Sequence, residues 1–227
     1  MSIIFRSFAI EEINQHIESA EIPEFAPQFN YIMITTTKTL KLPEGNIPAM
    51  VDIFEDKDLK ALEDIYTSWR TLCDQAAALK ARKINLPDSL SECGFCYFFK
   101  FWRTNYGVPG AEHSSFDAFD PNKCTRIQIK GCSVEEDLTS FGPDSVWDEL
   151  YFVDFYVDGK WDYTFNVYLI DNNDIYNTKV NATQTFVDQQ KQGRRPRFSI
   201  VKSIIRPKNM KPMYTCNIKT GQMIKHF

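Results

Sequence analysis

The residues best suited to chemistry lie in one short stretch, SSFDAFDPNKCTRIQIKGC, which spans residues 114–132. Asp117 and Asp120 precede the turn-forming run Asp120-Pro121-Asn122-Lys123, and the segment beyond it alternates in the manner of a strand. Residues two apart on a strand share a face, so Gln128 and Lys130 are expected to point one way and Ile127 and Ile129 into the opposite layer. Folding such a hairpin brings an acidic side chain beside the Gln128/Lys130 face. A carboxylate, an amide oxygen and an ammonium converging there would suit a hard divalent cation and a phosphate. Mg2+ takes oxygen ligands and keeps several waters, while a nearby lysine can orient one of them and stabilise charge on the phosphate.

The elements that must position these groups can be read from periodicity. Residues 9–19 read as a short amphipathic helix, and Pro23, Pro27, Pro43 and Pro48 interrupt an extended, Thr-rich stretch around Tyr31–Leu42. From about Asp56 to Lys83, apolar Leu59, Leu62, Tyr66, Trp69, Cys73 and Ala76 recur at steps of three and four, which predicts a helix ended by Pro87. Residues 89–103, SLSECGFCYFFKFWR, are apolar nearly all round and predict a buried helix, with Ser89 and Glu92 spaced as a capping box. Two strands flanking Asp158-Gly159 predict a second hairpin. A short helix is expected near Thr183–Gln192, and FSIVKSII after it is strand-like. The expected fold is α/β: a single domain with a central mixed sheet flanked by helices. Residues 1–84 would form a helical and extended region packed on a core of residues 85–227.

Charge is strongly segregated. From Gln189 to Phe227 there are ten Lys or Arg and no Asp or Glu, leaving 16 basic and 30 acidic residues in the preceding chain. A tail of +10 on a body of −14 points either to a polyanion partner for one face or to simple neutralisation of the acidic body. Arg194, Arg195 and Arg197, with Gln189 and Gln190, carry groups that can pair with purine edges, and Lys202 adds to the basic segment. Thr139, Ser140 and the backbone around Gly142 follow the Gln128/Lys130 strand and could hold a phosphate or form an ordinary turn.

Other classes are excluded. A charged share of 25% and an apolar share of 43% rule out disordered and fibrous chains, and no apolar run is long enough to span a membrane. The N-terminus lacks a basic segment followed by an apolar one, so a cytoplasmic protein without a secretory signal is expected. Cys93 and Cys96 form a lone CxxC without a second pair, so buried reduced thiols are expected rather than a zinc site. His16, His113 and His226 show no triad spacing, and His113 reads as an exposed loop residue.

Asp117-x10-Gln128-Ile129-Lys130 resembles the metal site of the PD-(D/E)xK nucleases, with Gln128 where a second acidic residue is usual. The segments LPDSLSE, SSFDAFD, RIQIKGCSVEEDLTSFGPDSVWDELYFVDFY and QTFVDQQKQGRRPRFSIVKSII, which together reach from about residue 85 to 207, resemble type II restriction endonucleases. The likeness is to the small family that cuts GCNGC-like sites, and residues 1–84 show none. It implies a restriction-endonuclease-like fold, double-stranded DNA as substrate, and Mg2+ held by Asp117, the Ile129 carbonyl and Glu92. Gln128 would orient a ligand or water and Lys130 the nucleophile. Glu92 is open between that role and the capping box; Asp117 is favoured over Asp120 as the ligand. A short symmetric site implies a homodimer. A non-catalytic DNA- or RNA-binding protein, or a repair or methylation-dependent nuclease on the same fold, would carry the same features.

Overall fold

The computed structural model describes residues 33–104, 116–135 and 137–227. The helix expected over 9–19, and with it His16 and His113, lies outside these residues. Strands β1 (Ile34–Leu42) and β2 (Gly45–Ile53) pair antiparallel through the tight Pro43-Glu44 turn. Helix α1 (Leu59–Ala78) follows, with Leu62, Tyr66, Trp69 and Cys73 buried at the expected spacing. It stops at Ala78 instead of continuing to Lys83, and Lys80 takes a left-handed φ of 56°.

Helix α2 (Asp88–Phe99) is buried along almost its whole length, as its uninterrupted apolar character requires. It departs from expectation at both ends. Pro87, whose φ of −65° suits a helix entrance, is the N-cap, so Ser89 lies inside the helix and the Ser89/Glu92 capping box does not form. At the other end Lys100 turns left-handed, and the apolar run continues as strand β3 (Trp102–Arg103).

The predicted hairpin is β4 (Ala118–Asp120) and β5 (Thr125–Cys132), joined by the Asp120–Lys123 turn. Next come β6 (Thr139–Ser140), β7 (Glu149–Asp154), β8 (Thr164–Ile170), α3 (Asn172–Asn177), α4 (Phe186–Gln190), β9 (Arg197–Phe198), β10 (Tyr214–Asn217) and β11 (Gln222–Lys225). The connection from β7 to β8 is longer than the two-residue turn the Asp158-Gly159 signal suggests. It carries a 3-10 turn at Val157–Gly159, with Asp158 at φ 55°. Helix α4 starts with a capping box between Thr185 and Asp188. Of the strand-like FSIVKSII only Phe198 is in a strand; Val201–Ile205 form a π-helical turn. Burial of Ile200, Ile204 and Ile205 on one side of that turn outweighs their β-branched preference.

Nine strands make one mixed sheet in the order β1-β2-β3-β4-β5-β7-β8-β10-β11, in which only β5 and β7 run parallel. β6 and β9 form a separate two-stranded ribbon. Ala118, Ile127 and Ile129 face a core shared with α1 and α2, where Phe95 stacks on Phe99 at 4.4 Å. Leu150 and Phe152 face a second core with Phe141, Trp147, Phe186 and Phe198. The central strands are therefore covered on both faces, as expected of an α/β domain with a mixed sheet. Five of the six cysteines are buried and all six are free thiols. Among the described residues no helix is long and apolar enough to cross a membrane.

Candidate active site

The register of the central hairpin decides which groups meet. Ala118 pairs with Ile127, so Asp117, one residue earlier, stands across from Gln128, one residue later. Asp117 Oδ2 accepts hydrogen bonds from Gln128 Nε2 and, at 2.7 Å, from the Ile129 backbone N–H. The other amide atom, Gln128 Oε1, is buried and has no hydrogen-bond partner among the described residues. Asp120 is engaged elsewhere: its Oδ1 accepts from the N–H groups of Asn122 at 2.8 Å and Lys123 at 3.3 Å, the local turn bonding that aspartate favours.

Lys130, two residues beyond Gln128 on the same face, is near enough for its charge to favour the Asp117 carboxylate. Burial opposes it and wins, so the Asp117 pKa lies above its ordinary value. The Lys130 ammonium also lies 5.7 Å from the centre of the Phe141 ring.

Glu92 projects from α2 to the same place. Burial and the neighbouring Asp117 charge raise its pKa, against the pull of Arg103. Arg103 donates to Glu92 Oε2 from Nε at 2.9 Å and from Nη2 at 2.8 Å. The spacing that suggested a cap therefore serves an ion pair with β3 instead.

A polar cleft of about 480 Å3 opens beside Glu92 and Lys130, walled also by Ile129, Thr139, Ser140 and Arg197, with Arg82, Asn85, Asp88 and Ser91 on the side of α2. Asp117 and Gln128 do not line it; the first is half-buried and the second buried beside it. Ser140 and Arg197 reach the cleft together because they are paired across the β6–β9 ribbon. Gln189, Gln190, Arg194, Arg195 and Lys202 lie off the cleft, the two arginines and the lysine exposed and the glutamines half-buried. His226 bonds Thr215 Oγ1 at 2.8 Å, far along the chain from these residues.

Arg82, Asn85, Asp88 and Arg103 were missed by sequence reading. The proline before Asp88 was expected only to end the preceding helix, and Arg103 sat inside an expected helix. Among the described residues no three His, Cys, Asp or Glu side chains are grouped to hold a metal. Glu92, Asp117 and Asp88 are near enough for their charges to act on one another, and with the buried Gln128 amide oxygen they are hard oxygen donors of the kind Mg2+ takes.

A model of the family described as Bsp6I restriction endonuclease matches residues 54–207. The chain is also 35% identical, over 161 residues, to the type II restriction enzyme Bsp6I of Bacillus sp. (strain RFL6), covering 70% of this chain and 88% of the relative. The chain belongs to the Bsp6I restriction endonuclease family. It is thus an enzyme, a type II restriction endonuclease, and the hairpin, the cleft and the β6–β9 ribbon all fall inside the matched segment. The likeness starts at residue 54, earlier than the residue 85 at which the motifs become recognisable, and takes in the whole of α1. No solved structure matches.

Proposed function

We propose that this restriction endonuclease makes Mg2+-dependent double-strand cuts at a short GC-rich site of the GCNGC kind, as a cytoplasmic homodimer with one active site per DNA strand. The observation that carries the proposal is the cross-strand pairing of Asp117 with Gln128, which sets a carboxylate, an amide and the Lys130 ammonium on one face beside Glu92.

Asp117, Glu92 and the Ile129 carbonyl hold the cation, with the unpartnered Gln128 Oε1 directing a ligand or a water. The chemistry supplied by a bound Mg2+ is charge neutralisation on the phosphate and a more acidic water. Lys130 positions the nucleophilic water for in-line attack and counters the charge that builds on the phosphoryl oxygens. Its stem is constrained beside Phe141, which limits the directions the ammonium can take. Asp117, fixed by two donors to a single oxygen, keeps Gln128 and the strand backbone in register around the reacting phosphate. Ser140 and Arg197 hold a neighbouring phosphate from the cleft wall. Arg194, Arg195, Gln189 and Gln190 read base edges and Lys202 contacts the backbone, in keeping with the exposure of the basic residues.

Sequencing the ends of plasmid fragments made with Mg2+ reports target and stagger together. GC-rich pentanucleotide ends are expected from the wild type, and cleavage reduced on the order of 100-fold or more from Lys130→Ala. Undiminished cutting by that variant would remove Lys130 from the mechanism.

A further inference from the structure

Asp52, on β2, is a fully buried carboxyl side chain, and it lies before the segment that the family model matches. It is the cross-strand partner of Arg103, and among the described residues this pair joins β2 to β3. Thr35 Oγ1 on β1 donates to Asp52 Oδ1 at 2.8 Å, while Oδ2 has no hydrogen-bond partner among the described residues and lies 3.8 Å from Arg103 Nη1. The Arg103 side chain is 11% exposed, and its Nε and Nη2 both end on Glu92 Oε2. A line of contacts thus runs from Thr35 through Asp52 and Arg103 to the carboxylate on the cleft wall.

An isolated aspartate at zero exposure is costly, and a guanidinium nearby is the usual compensation. Here the guanidinium is shared. Its fork is divided between a carboxylate that no solvent reaches and one that opens on the cleft. Both short bonds to Glu92 land on Oε2 and neither on Oε1. An arginine whose charge is already balanced by Asp52 can orient Glu92 without fully neutralising it, which a carboxylate needs in order to serve a cation as well. With an uncharged Gln128 beside Asp117, the other carboxylates near the site are Glu92 and Asp88, and Glu92 is the one bound by an arginine, so how far that arginine neutralises it bears directly on the cation.

We propose that Arg103 is a positioning residue for Glu92 and that Asp52, supplied by the N-terminal β1–β2 hairpin, keeps that arginine from competing with the cation; the proposal rests on the reading of the cleft as the metal site. The hairpin ahead of the matched segment thereby sets the metal affinity of the enzyme. Ligand-orienting partners of this kind are commonly worth about 10- to 100-fold in metal affinity.

The test is Mn2+ binding to the full-length protein without DNA, followed by calorimetry, for the wild type, Asp52→Asn, Arg103→Lys, Glu92→Gln and Asp117→Asn. Asp52→Asn, which retains shape and the Thr35 bond, is expected to weaken Mn2+ about tenfold. Arg103→Lys, which cannot fork, should do the same, and cleavage by both should recover as Mg2+ is raised. A merely structural role would lower the metal-free Tm and leave Mn2+ affinity untouched, and that result in the folded variants overturns the proposal. If Arg103→Lys does not fold, Asp52→Asn decides alone. Loss of binding in Glu92→Gln and Asp117→Asn with none in Asp52→Asn sinks this inference and leaves the metal site standing. Unchanged binding in Glu92→Gln and Asp117→Asn sinks both.

Discussion

Asp117 and Gln128 face each other across the β4–β5 ladder, and one carboxylate oxygen, Asp117 Oδ2, takes both the Gln128 amide and the Ile129 N–H. The consequence is a buried amide whose remaining oxygen has nowhere to go within the described protein. Leaving a buried acceptor unmade costs about 1–3 kcal/mol, so the arrangement is retained at the expense of stability.

Gln128→Glu tests what that amide does. A further carboxylate should tighten the cation about tenfold, because oxygen-ligand sites are tuned by ligand charge. The same change sets two carboxylates against each other, so the metal-free Tm should fall. Cleavage against Mg2+ concentration and metal-free melting check both halves.

Arg197 lies on the cleft wall opposite Ser140 in the ribbon, where phosphate contact is the expected role. Arg197→Ala should weaken DNA binding similarly on all sequences and reduce the slope of log K against log salt by about 1. Arg195→Ala, exposed and off the cleft, should instead relax discrimination between cognate and mismatched sites. Binding titrations at several salt concentrations on both kinds of site separate the two.

Gly131 follows the lysine and lies under the start of α2. A Cβ there would meet Leu86 Cδ2 at 3.0 Å, Ser91 Cβ at 3.1 Å and Val153 Cγ2 at 3.1 Å. Gly131→Ala should cost about 1–3 kcal/mol through overpacking. It should lose cleavage beyond what the stability loss explains, since Ser91 is the neighbour of Glu92. Urea melts and kcat measured well below the melting transition distinguish the two effects.

Arg126 and Asp148 tie β5 to the loop before β7. Asp148 Oδ1 accepts from Arg126 Nη2 at 2.7 Å, and Oδ2 accepts from Nε at 3.0 Å and from the backbone N–H at 2.7 Å. Burial pulls the Asp148 pKa up, but these donors outweigh it and hold it below the ordinary value. A carboxylate with a lowered folded pKa stabilises the protein above its unfolded pKa, and that stabilisation is lost as pH falls through the folded value. Asp148→Asn should therefore cost about 2 kcal/mol at neutral pH. The gap from wild type should close below about pH 4, which melts across an acid series would show.

Periodicity and residue type alone determined α1, α2, the central hairpin and its inward and outward faces, while the nuclease reading of Asp117, Gln128 and Lys130 came from the resemblance of the motifs. These are local matters: which side chains share a face depends on spacing of two or three to four residues, and a turn such as Asp120–Lys123 carries its own bonding. Glu92 was legible as a position but not as a role, because its Ser89 spacing is identical whether the glutamate closes a cap or reaches an arginine eleven residues on.

Only the tertiary structure decided what lies between. The apolar run through Phe99 gave no sign that the helix would end at Lys100 and pass Arg103 to a strand, since burial looks the same in either element. FSIVKSII and the C-terminal β10–β11 hairpin were misjudged or missed for the same reason: packing against the second core and pairing with β8 overrule local preference. The link from Asp52 to Glu92 spans elements forty residues apart in sequence. It exists because two strands happen to be paired at one residue, and pairing between distant strands is set by the whole sheet, not by anything written near either residue.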